Sequence, residues 1–316
     1  MLYRLPEDFL LKLRLLYPEN IVKRALDSFQ SIKNTTIRIN TIKTTCEEIR
    51  KILSDLSIHF EPVSWLSDAL LLPQLSSREV TEFEIYKEGK IYIQNLSSMI
   101  PPIILDPQEN ESILDLASAP GSKTSHIASL MKNTGEIVAN DISYVRIQKM
   151  KRILNQLGVT NVKIMSKPGE LVWQSYQNYF DKVLLDAPCS MEGLFNTNKV
   201  ETIDHWSLKK VKRLAKQQSW LLRSAISATK PGGTIIYSTC TISPEENEGV
   251  IDWILEKERG KIELEQIIIV GLDLYNGITH WNNKIYNPEV TKTVRIIPSP
   301  TMEGFFIAKI KKLNIT

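Results

Sequence analysis

Cysteine is scarce in this chain: three residues, Cys46, Cys189 and Cys240, lie far apart among 316. An odd number at such spacing excludes a disulfide framework and a zinc site, so we expect reduced thiols and no metal. Long apolar runs are absent too, because none approaches the roughly 18 residues that a membrane helix needs. The opening residues lack the basic and then apolar pattern of a secretory signal. These absences predict a cytoplasmic protein without a membrane partner.

Glycine and proline, at 13 and 15 residues, are too few for a collagen-like or low-complexity protein. Charge of one sign is not in large excess either, since 39 basic and 36 acidic side chains leave a net charge of +3. This mild excess permits an RNA partner but excludes binding to nucleic acid by overall charge alone. The length suggests two domains, or one large domain with an appendage, and is ample for a buried core.

The first part of the chain, residues 1–105, has the pattern of a small α+β domain. Residues 36–42 alternate like a strand, residues 45–56 carry apolar side chains at helical spacing, and short strands follow near residues 69–72 and 91–93. This β-α-β order suits helices packed on a small sheet. Pro101-Pro102 and Asp106-Pro107 then interrupt the pattern, so we place a domain boundary after residue 105.

The second part, residues 106–316, alternates apolar strands with long helices, which predicts an α/β domain with a doubly wound parallel sheet. The predicted strands cover residues 112–116, 136–139, 162–165, 182–186 and 234–238, and the predicted helices cover 123–131, 143–157 and 208–229.

A turn of small residues follows the first of these strands and begins a helix. A dinucleotide site would need several glycines here, but the turn has only Gly121 and begins with Asp115, whose carboxylate would repel a pyrophosphate. An adenosyl cofactor without phosphates, carrying an ammonium and a sulfonium, suits that acid better. Asp141 ends the next strand, where such folds bind ribose hydroxyls. The alternative is that both acids only cap the helices that follow.

Two of the three cysteines also follow strand ends. Cys189 lies three residues after Asp186, and Cys240 follows the strand at residues 234–238. A single cysteine is more often a small buried hydrophobe, but two at one sheet edge favour thiol chemistry. Carbon 5 of cytosine is too poor a nucleophile to be methylated directly, and a thiolate that adds to carbon 6 activates it. A carboxylate such as Asp186 can hold the nitrogen edge of the ring and stabilise the adduct.

At this point the chain resembles the Sun-type (Nol/Nop/Sun) RNA cytosine carbon-5 methyltransferases, and the likeness spans most of its length. Four motifs in order carry it: Leu114-Asp-Leu-Ala-Ser-Ala-Pro-Gly-Ser-Lys-Thr124, Asn140-Asp-Ile-Ser-x-x-Arg146, Leu185-Asp-Ala-Pro-Cys-Ser190 and Tyr237-Ser-Thr-Cys-Thr-Ile-Ser-Pro-Glu-Glu-Asn-Glu248. Weaker echoes are Ile37-Arg-Ile-Asn-Thr-Ile-Lys43 and Glu303-Gly-Phe-Phe-Ile-Ala308.

The resemblance implies a Rossmann-like domain that uses S-adenosylmethionine, preceded by an RNA-recognition-like domain. It implies that Cys240 is the nucleophile, that Cys189 assists elimination and that Asp186 lies beside the methyl donor and the target base. It also implies that Asp141 binds the ribose of the donor, with Arg146 in the same motif. The residues implied for the amino-acid end of the donor are Ala117, Ser118, Ala119, Pro120, Gly121, Ser122 and Lys123. Compact members of the family act on tRNA or rRNA, and short members suggest a monomer.

The chain departs from the family pattern at three places. Pro168-Gly169 replaces an Asp-Gly whose acid contacts the adenine, Met191 replaces a glycine, and Asn196-Thr197 replaces a basic pair. We therefore expect the adenine contact and the grip on RNA near residue 196 to differ from the family pattern.

A basic segment gives a further pointer to RNA. Eight Lys and Arg side chains lie between Lys199 and Lys230 against two acidic ones, and Lys209, Lys210, Lys212, Arg213 and Lys216 fall on the predicted outer face of one helix. A solvated helix face explains them equally well.

Two rival functions stay open at this stage. One is a methyltransferase in which Cys189 makes the attack, and the other is a catalytically weak family member that serves as an RNA-binding or ribosome-assembly factor.

Overall fold

Two helices precede the small N-terminal sheet. The computed structural model describes residues 4–314. Up to residue 105 its elements are α1 (Glu7–Leu16), α2 (Glu19–Gln30), β1 (Thr35–Ile39), α3 (Cys46–Asp55), β2 (Glu61–Val63), β3 (Leu66–Leu72), α4 (Ser77–Glu82), α5 (Glu84–Lys87), β4 (Ile91–Ile93) and α6 (Leu96–Leu105). Helices α1 and α2 bury Phe9 and Phe29 against Phe195 and Ile242, which come from much later in the chain. They therefore belong to the packing of the second domain.

The sheet of the N-terminal module has four antiparallel strands in the order β2-β3-β1-β4. This is the split β-α-β-β-α-β arrangement, and the predicted small α+β module is confirmed. Ile37 and Leu70 pack with the helices of the module. Successive strand residues point to opposite faces, and on the opposite face Ala69 and Leu71 pack with Met99 and residues of the second domain. Both faces of this small sheet are therefore covered.

Helix α6 runs through Pro101 and Pro102, where the sequence pattern suggested an interruption. A proline at position 102 cannot donate a hydrogen bond to the carbonyl of Ser98. The side chain of Gln94 donates to that carbonyl instead, at 3.1 Å, so the group stays satisfied. Helix α6 packs Met99 and Ile100 into the core of the second domain. The boundary after residue 105 stays a prediction.

The second domain is built on a nine-stranded sheet. Its elements are β5 (Ser112–Asp115), α7 (Ser122–Leu130), β6 (Glu136–Asn140), α8 (Tyr144–Gln156), β7 (Val162–Met165), β8 (Phe180–Asp186), α9 (Leu208–Ala228), β9 (Thr229–Thr239), α10 (Glu248–Lys257), β10 (Ile262–Glu265), β11 (Tyr275–Asn276), a hairpin of β12 (His280–Trp281) and β13 (Lys284–Ile285), β14 (Val294–Ile296) and β15 (Phe305–Lys312). Short 3-10 helices cover 169–174, 192–194, 200–202 and 288–292. Within residues 4–314, no helix combines the length and apolarity needed to cross a membrane.

Five parallel strands form the centre of this sheet, in the order β9-β8-β5-β6-β7. Strand β15 adds antiparallel to β9, and β14 and β10 flank it. Helices cover both faces, with Leu114 and Val183 in one core and Ile113 and Leu184 in the other. The predicted α/β doubly wound, Rossmann-like fold is confirmed. The strand order reverses between β5 and β8, which creates a crevice at their carboxyl ends.

A buried ion pair joins the N-terminal helices to the second domain. Arg295 on β14 donates to both carboxylate oxygens of Glu248 at the start of α10. Its Nε lies 2.6 Å from Oε1, and its Nη2 donates to Oε2. The same guanidinium donates to the hydroxyl of Tyr17 and to the carbonyl of Ile242, both at 2.9 Å. Both charged side chains are almost completely buried. Removal of one partner would leave the other as an unpaired charge inside the protein.

We expect Arg295→Met to lower the free energy of unfolding by about 3–5 kcal/mol, because Glu248 would stay buried without its partner. Urea denaturation followed by tryptophan fluorescence measures the change. The matched control is Arg259→Met, since Arg259 is exposed, and we expect it to change stability by less than about 0.5 kcal/mol. Equal effects of the two substitutions would contradict a stabilising role for the buried pair.

Candidate active site

Asp115 and Asp186 end the two strands that border the crevice. Asp115 is buried, and its Oδ2 accepts a hydrogen bond from Thr124 at 2.7 Å. Its Oδ1 is buried without a partner in the described part of the chain. Burial raises the pKa of Asp115 to about 7. A carboxyl group with a free oxygen thus faces the crevice, ready to accept a donor from a ligand.

The turn after β5 is fixed against the next strand end. The amide of Ser118 donates to the carbonyl of Asn140 at 2.8 Å, and the amide of Ala119 donates to Asp141 at 3.2 Å. Gly121 closes the turn with φ of 101°. A Cβ at that position would lie 2.9 Å from the side chain of Met150, so a larger residue would be doubly strained.

Asp141 is held in place by several contacts. It accepts the amide of Ser143 at 2.9 Å and lies 3.2 Å from Arg146, which also donates to the carbonyl of Ala119. The residues at the N-cap positions of α7 and α8 are Gly121 and Ser143. The alternative interpretation required Asp115 and Asp141 to be the N-caps of these helices, and it is therefore wrong.

Lys123 and Asp186 form an ion pair across the crevice. The ammonium of Lys123 lies 2.7 Å from Oδ2 of Asp186 and 2.6 Å from the hydroxyl of Ser98. Ser238 donates to the other carboxylate oxygen of Asp186 at 2.8 Å. Both oxygens thus have a partner, which fixes the plane of the carboxylate.

Two thiols meet beside Asp186. The Sγ atoms of Cys189 and Cys240 are 3.2 Å apart, and both residues are partly exposed. The contact with Cys189, followed by burial, raises the pKa of the Cys240 thiol well above its ordinary value. Cys46 lies at the start of α3 in the N-terminal module. The structure therefore brings together the two cysteines that the sequence analysis singled out and leaves the third elsewhere.

The loops that carry these thiols are joined through the buried carboxylate of Glu192. Its Oε1 accepts from Lys12 at 3.0 Å, Trp206 at 2.8 Å and Ser243 at 2.7 Å, and its Oε2 accepts from Thr241 at 3.0 Å. The next amide in the chain, at residue 193, donates to the carbonyl of Cys240 at 3.0 Å.

A second buried acid, Glu246, supports the Cys189 loop. It accepts from the amide of Ser190 at 2.9 Å and from Gln218 at 2.8 Å. Burial raises the pKa of Glu246 to about 7. Sequence analysis missed the structural roles of Glu192 and Glu246, although the second lies inside a quoted motif.

A cavity of about 220 Å³ opens at this edge of the sheet. Eight of the predicted site residues line it: Ala117, Ser118, Ala119, Pro120, Ser122, Lys123, Asp186 and Cys240. Asp115 lines it as well, whereas the predicted residues Gly121, Asp141, Arg146 and Cys189 are not part of its lining. Four lining residues were not predicted, namely Ser98, Leu194, Glu303 and Phe305. The only signal for the last two was the weak motif at residues 303–308.

The structure shows the local environment of each of the three departures from the family pattern. Met191 has a left-handed backbone with φ of 62°, a conformation that favours the glycine usual at this position. Pro168 is exposed after β7. Thr197 donates its amide to the carbonyl of Phe29 at 2.9 Å. In place of a basic pair, this loop is thus attached to the end of α2.

The basic helix α9 presents most of its cations to solvent. Lys209, Lys212, Arg213 and Lys216 are exposed, and Lys210 is half-buried. Leu208, which the pattern placed on the inner face, is 38% exposed. Its position in the first turn, ahead of the helix-packing contacts, explains the difference. In the described residues, no group of three His, Cys, Asp or Glu side chains could hold a metal ion.

Comparisons with known proteins agree with this architecture. The family described as 16S rRNA methyltransferase RsmB/F matches residues 102–311, and the N-terminal domain of 16S rRNA methyltransferase RsmF matches residues 5–96. A tRNA (cytosine(49)-C(5))-methyltransferase from Pyrococcus abyssi is 39% identical over 88% of both chains. A 28S rRNA (cytosine-C(5))-methyltransferase from Mus musculus is 38% identical over 97% of this chain, which spans only 39% of that protein.

A solved structure with the same fold is the methyltransferase homologue from Pyrococcus horikoshii. It superposes with a TM-score of 0.80 at 32% identity, over 98% of this chain and 100% of that one. The similarity therefore extends through both domains and through the edge of the sheet where the acids and thiols meet. The resemblance seen in the sequence is confirmed, and the chain belongs to the RsmB/F family of methyltransferases.

Proposed function

We propose that this protein transfers a methyl group from S-adenosylmethionine to carbon 5 of a cytosine in RNA. The observation that carries the proposal is the pair of thiols 3.2 Å apart, next to the fixed carboxylate of Asp186. Methylation of cytosine at carbon 5 needs a thiol nucleophile and a group that steadies the ring, and both are within one crevice. The names of the curated relatives, which are tRNA and rRNA cytosine-C5-methyltransferases, support the same reaction.

The crevice suits the methyl donor. When bound, S-adenosylmethionine supplies an electrophilic methyl group on a sulfonium. The unpaired Oδ1 of Asp115 would accept the ammonium of its amino-acid end, beside the small residues 117–119. Asp141 would accept the ribose hydroxyls, with Arg146 holding the turn at Ala119. Ile142, which is 71% exposed next to Asp141, offers an apolar surface to the adenine.

In this proposal Cys240 is the nucleophile. As its sulfur bonds to carbon 6 of cytosine, the thiol proton passes to the nitrogen edge of the ring, and carbon 5 then takes the methyl group as the bond from that group to the donor's sulfonium breaks. Loss of the proton at carbon 5 to a base, with cleavage of the sulfur–carbon bond and return of the other proton to the departing sulfur, restores the aromatic ring. Cys189 assists this elimination, and Asp186 holds the nitrogen edge of the ring. The raised pKa of Cys240 keeps its thiol protonated in the free protein at neutral pH. Thiolate formation is therefore coupled to the binding of substrate.

The class of RNA stays open between tRNA and rRNA, because relatives of both kinds match the chain. We further propose that the protein acts as a monomer in the cytoplasm, as expected from the sequence.

Labelled methyl transfer from S-adenosylmethionine to unmodified total RNA tests the reaction and the roles of the thiols together. We expect wild-type protein to form 5-methylcytosine and Cys240→Ala to form neither product nor covalent adduct. Cys189→Ala should accumulate a covalent protein–RNA species, since the adduct forms but is not released. Fractionation of the labelled RNA by size identifies the substrate class.

The matched control is Cys46→Ala, which removes the thiol outside the crevice and should leave activity unchanged. An adduct that persists in Cys240→Ala and vanishes in Cys189→Ala would assign the attack to Cys189 instead. Donor binding without labelling of any RNA would favour the binding or assembly role.

Donor affinity should depend on pH through Asp115. Its ionised form binds the ammonium, and its pKa is about 7, so the proton must leave as the donor binds. The dissociation constant of S-adenosylhomocysteine, which has the same amino-acid end, should fall about eightfold from pH 6 to pH 7.5. Calorimetry of Asp115→Asn should show weaker binding and a much flatter profile. A slope unchanged in that variant would point to another group, and Glu303→Gln tests the nearest acid with a similar pKa.

The exposed cations of α9 should add a salt-dependent term to RNA binding. For Lys212→Ala/Arg213→Ala, we expect the slope of log affinity against log salt to become shallower by about 1.4, as each lost phosphate contact removes about 0.7 on single strands. Filter binding of unmodified RNA over a salt series measures this slope. The matched control, Lys257→Ala/Arg259→Ala, removes one Lys and one Arg at the end of α10. Equal slopes for both variants would identify the α9 cations as a solvated helix face.

A further inference from the structure

The N-terminal module cannot bind RNA on its sheet as a free RNA-recognition module does. In such modules, aromatic side chains on the open face of the sheet stack on bases. Here that face packs on the second domain: Arg38 is fully buried and donates to Ser125 of α7 at 2.8 Å, and Leu71 joins the core around Met99. A nucleic acid can therefore contact the rim of the module or the outer side of its helices, but not this face of the sheet.

That rim forms one wall of a second cavity, of about 590 Å³. This volume is within the range of about 300–1,000 Å³ that is typical of ligand sites. The N-terminal module contributes residues 32–36, 76–77 and 93–95, and the second domain contributes the loop of residues 193–202. The cavity thus exists only where the two domains meet.

The chemistry of the lining favours the edges of a base. Amide side chains line the cavity, with Asn34 and Asn95 on one side and Asn196 and Asn198 on the other. The Oδ1 of Asn95 accepts from Ser97, and Asn198 donates to Gln30 and to the Oδ1 of Asn196, so Asn34 and the Nδ2 of Asn196 are the groups best placed to meet a ligand. Each amide carries donors and acceptors, which suits a heterocycle with both kinds of group. Exposed Lys199 also lines the cavity and can meet a phosphate. This is the loop in which neutral residues replace the usual basic pair.

The second wall is rigidly attached. Gly193 faces Gly304 so closely that a Cβ would lie 2.0 Å from the carbonyl oxygen of Gly304. Asn198 donates to the carbonyl of Gln30 at 3.0 Å, next to the attachment of Thr197 to α2. Phe195 is buried against Phe9. A wall built in advance loses little entropy when a ligand binds.

This cavity adjoins the crevice of the thiols. Leu194 and Glu303 line both spaces. The backbone of Glu303 is clamped by the hydroxyl of Ser97, which accepts from its amide at 3.0 Å and donates to its carbonyl at 2.8 Å. An RNA strand that places one base in the crevice at Cys240 would therefore place a neighbouring nucleotide in the larger cavity.

We propose that the larger cavity binds the nucleotide next to the target cytosine, in a single-stranded or unpaired segment of the RNA. The amide side chains of Asn34 and Asn196 read its base, and Lys199 contacts its phosphate. This inference rests on the proposed function for the identity of the target base, but the binding of an RNA nucleotide in the cavity can be tested without turnover.

Photocrosslinking is the direct test. The probe is a synthetic RNA of about 12 nucleotides with one cytosine, long enough to cross both cavities. It carries 4-thiouridine immediately 5′ of the cytosine in one version and immediately 3′ in another. Irradiation of the full-length protein, followed by peptide mass spectrometry, should place a crosslink in residues 193–202 or 32–36 for one version. Crosslinks confined to other segments, or none from either version, would overturn the proposal.

The variant Asn34→Ala/Lys199→Ala tests the same site quantitatively. We expect its crosslink yield to fall about fivefold or more, because a base contact and a phosphate contact are lost. With the RNA that the methyl-transfer assay identifies, KM should rise by a similar factor while kcat stays within about twofold. Lys257→Ala is the control, and thermal melting confirms that each variant is folded.

The two proposals fail in different ways. If wild-type protein methylates RNA but the double variant matches it in KM and crosslinking, the cavity inference is wrong and the proposed reaction stands. If wild-type protein methylates nothing and the crosslinks still map to the cavity, the reaction is wrong and the nucleotide site stands.

Discussion

The geometry of the thiol pair depends on one buried carboxylate, that of Glu192. A charge inside a protein is costly unless hydrogen bonds surround it, and this one accepts four donors. Trp206 reaches it from the segment before α9, Thr241 and Ser243 from the loop after Cys240, and Lys12 from α1. The need to satisfy Glu192 thus holds the two cysteine loops together and fixes the N-terminal helix against them. Lys12, on the first helix, therefore helps to fix the geometry of the thiol site.

Much of the site could be predicted because its signals are local. Asp115 and Asp186 each end an apolar strand, Asp141 directly follows one, and parallel strands present their carboxyl ends at one edge. Residues that reach the site only through pairing between strands distant in sequence could not be predicted in this way. Glu303 and Phe305 reach the crevice only because β15 inserts beside β9. The helix through Pro101 and Pro102 depends on a side chain outside it, which no helix pattern contains.

The N-terminal module has the topology of an RNA-recognition module, but its sheet packs against the second domain instead of facing solvent. Burial lowers the pKa of His126 on α7 well below its ordinary value, so this side chain is neutral next to the buried guanidinium of Arg38. A neutral imidazole avoids repulsion between two buried cations. The module thus packs against α7 and fixes the position of this helix, which carries Lys123 into the crevice.

The position of β15 has a consequence for how the protein is made. This strand covers residues 305–312 but pairs with β9 on one side and with β14 and β10 on the other. While the ribosome is still adding these residues, the parallel strands have an open edge at β9, and Phe305 is missing from the crevice. Unpaired strand edges are prone to join other chains. The sheet of the nascent polypeptide must therefore stay incomplete, with its edge at β9 unprotected, until residues 305–312 have emerged.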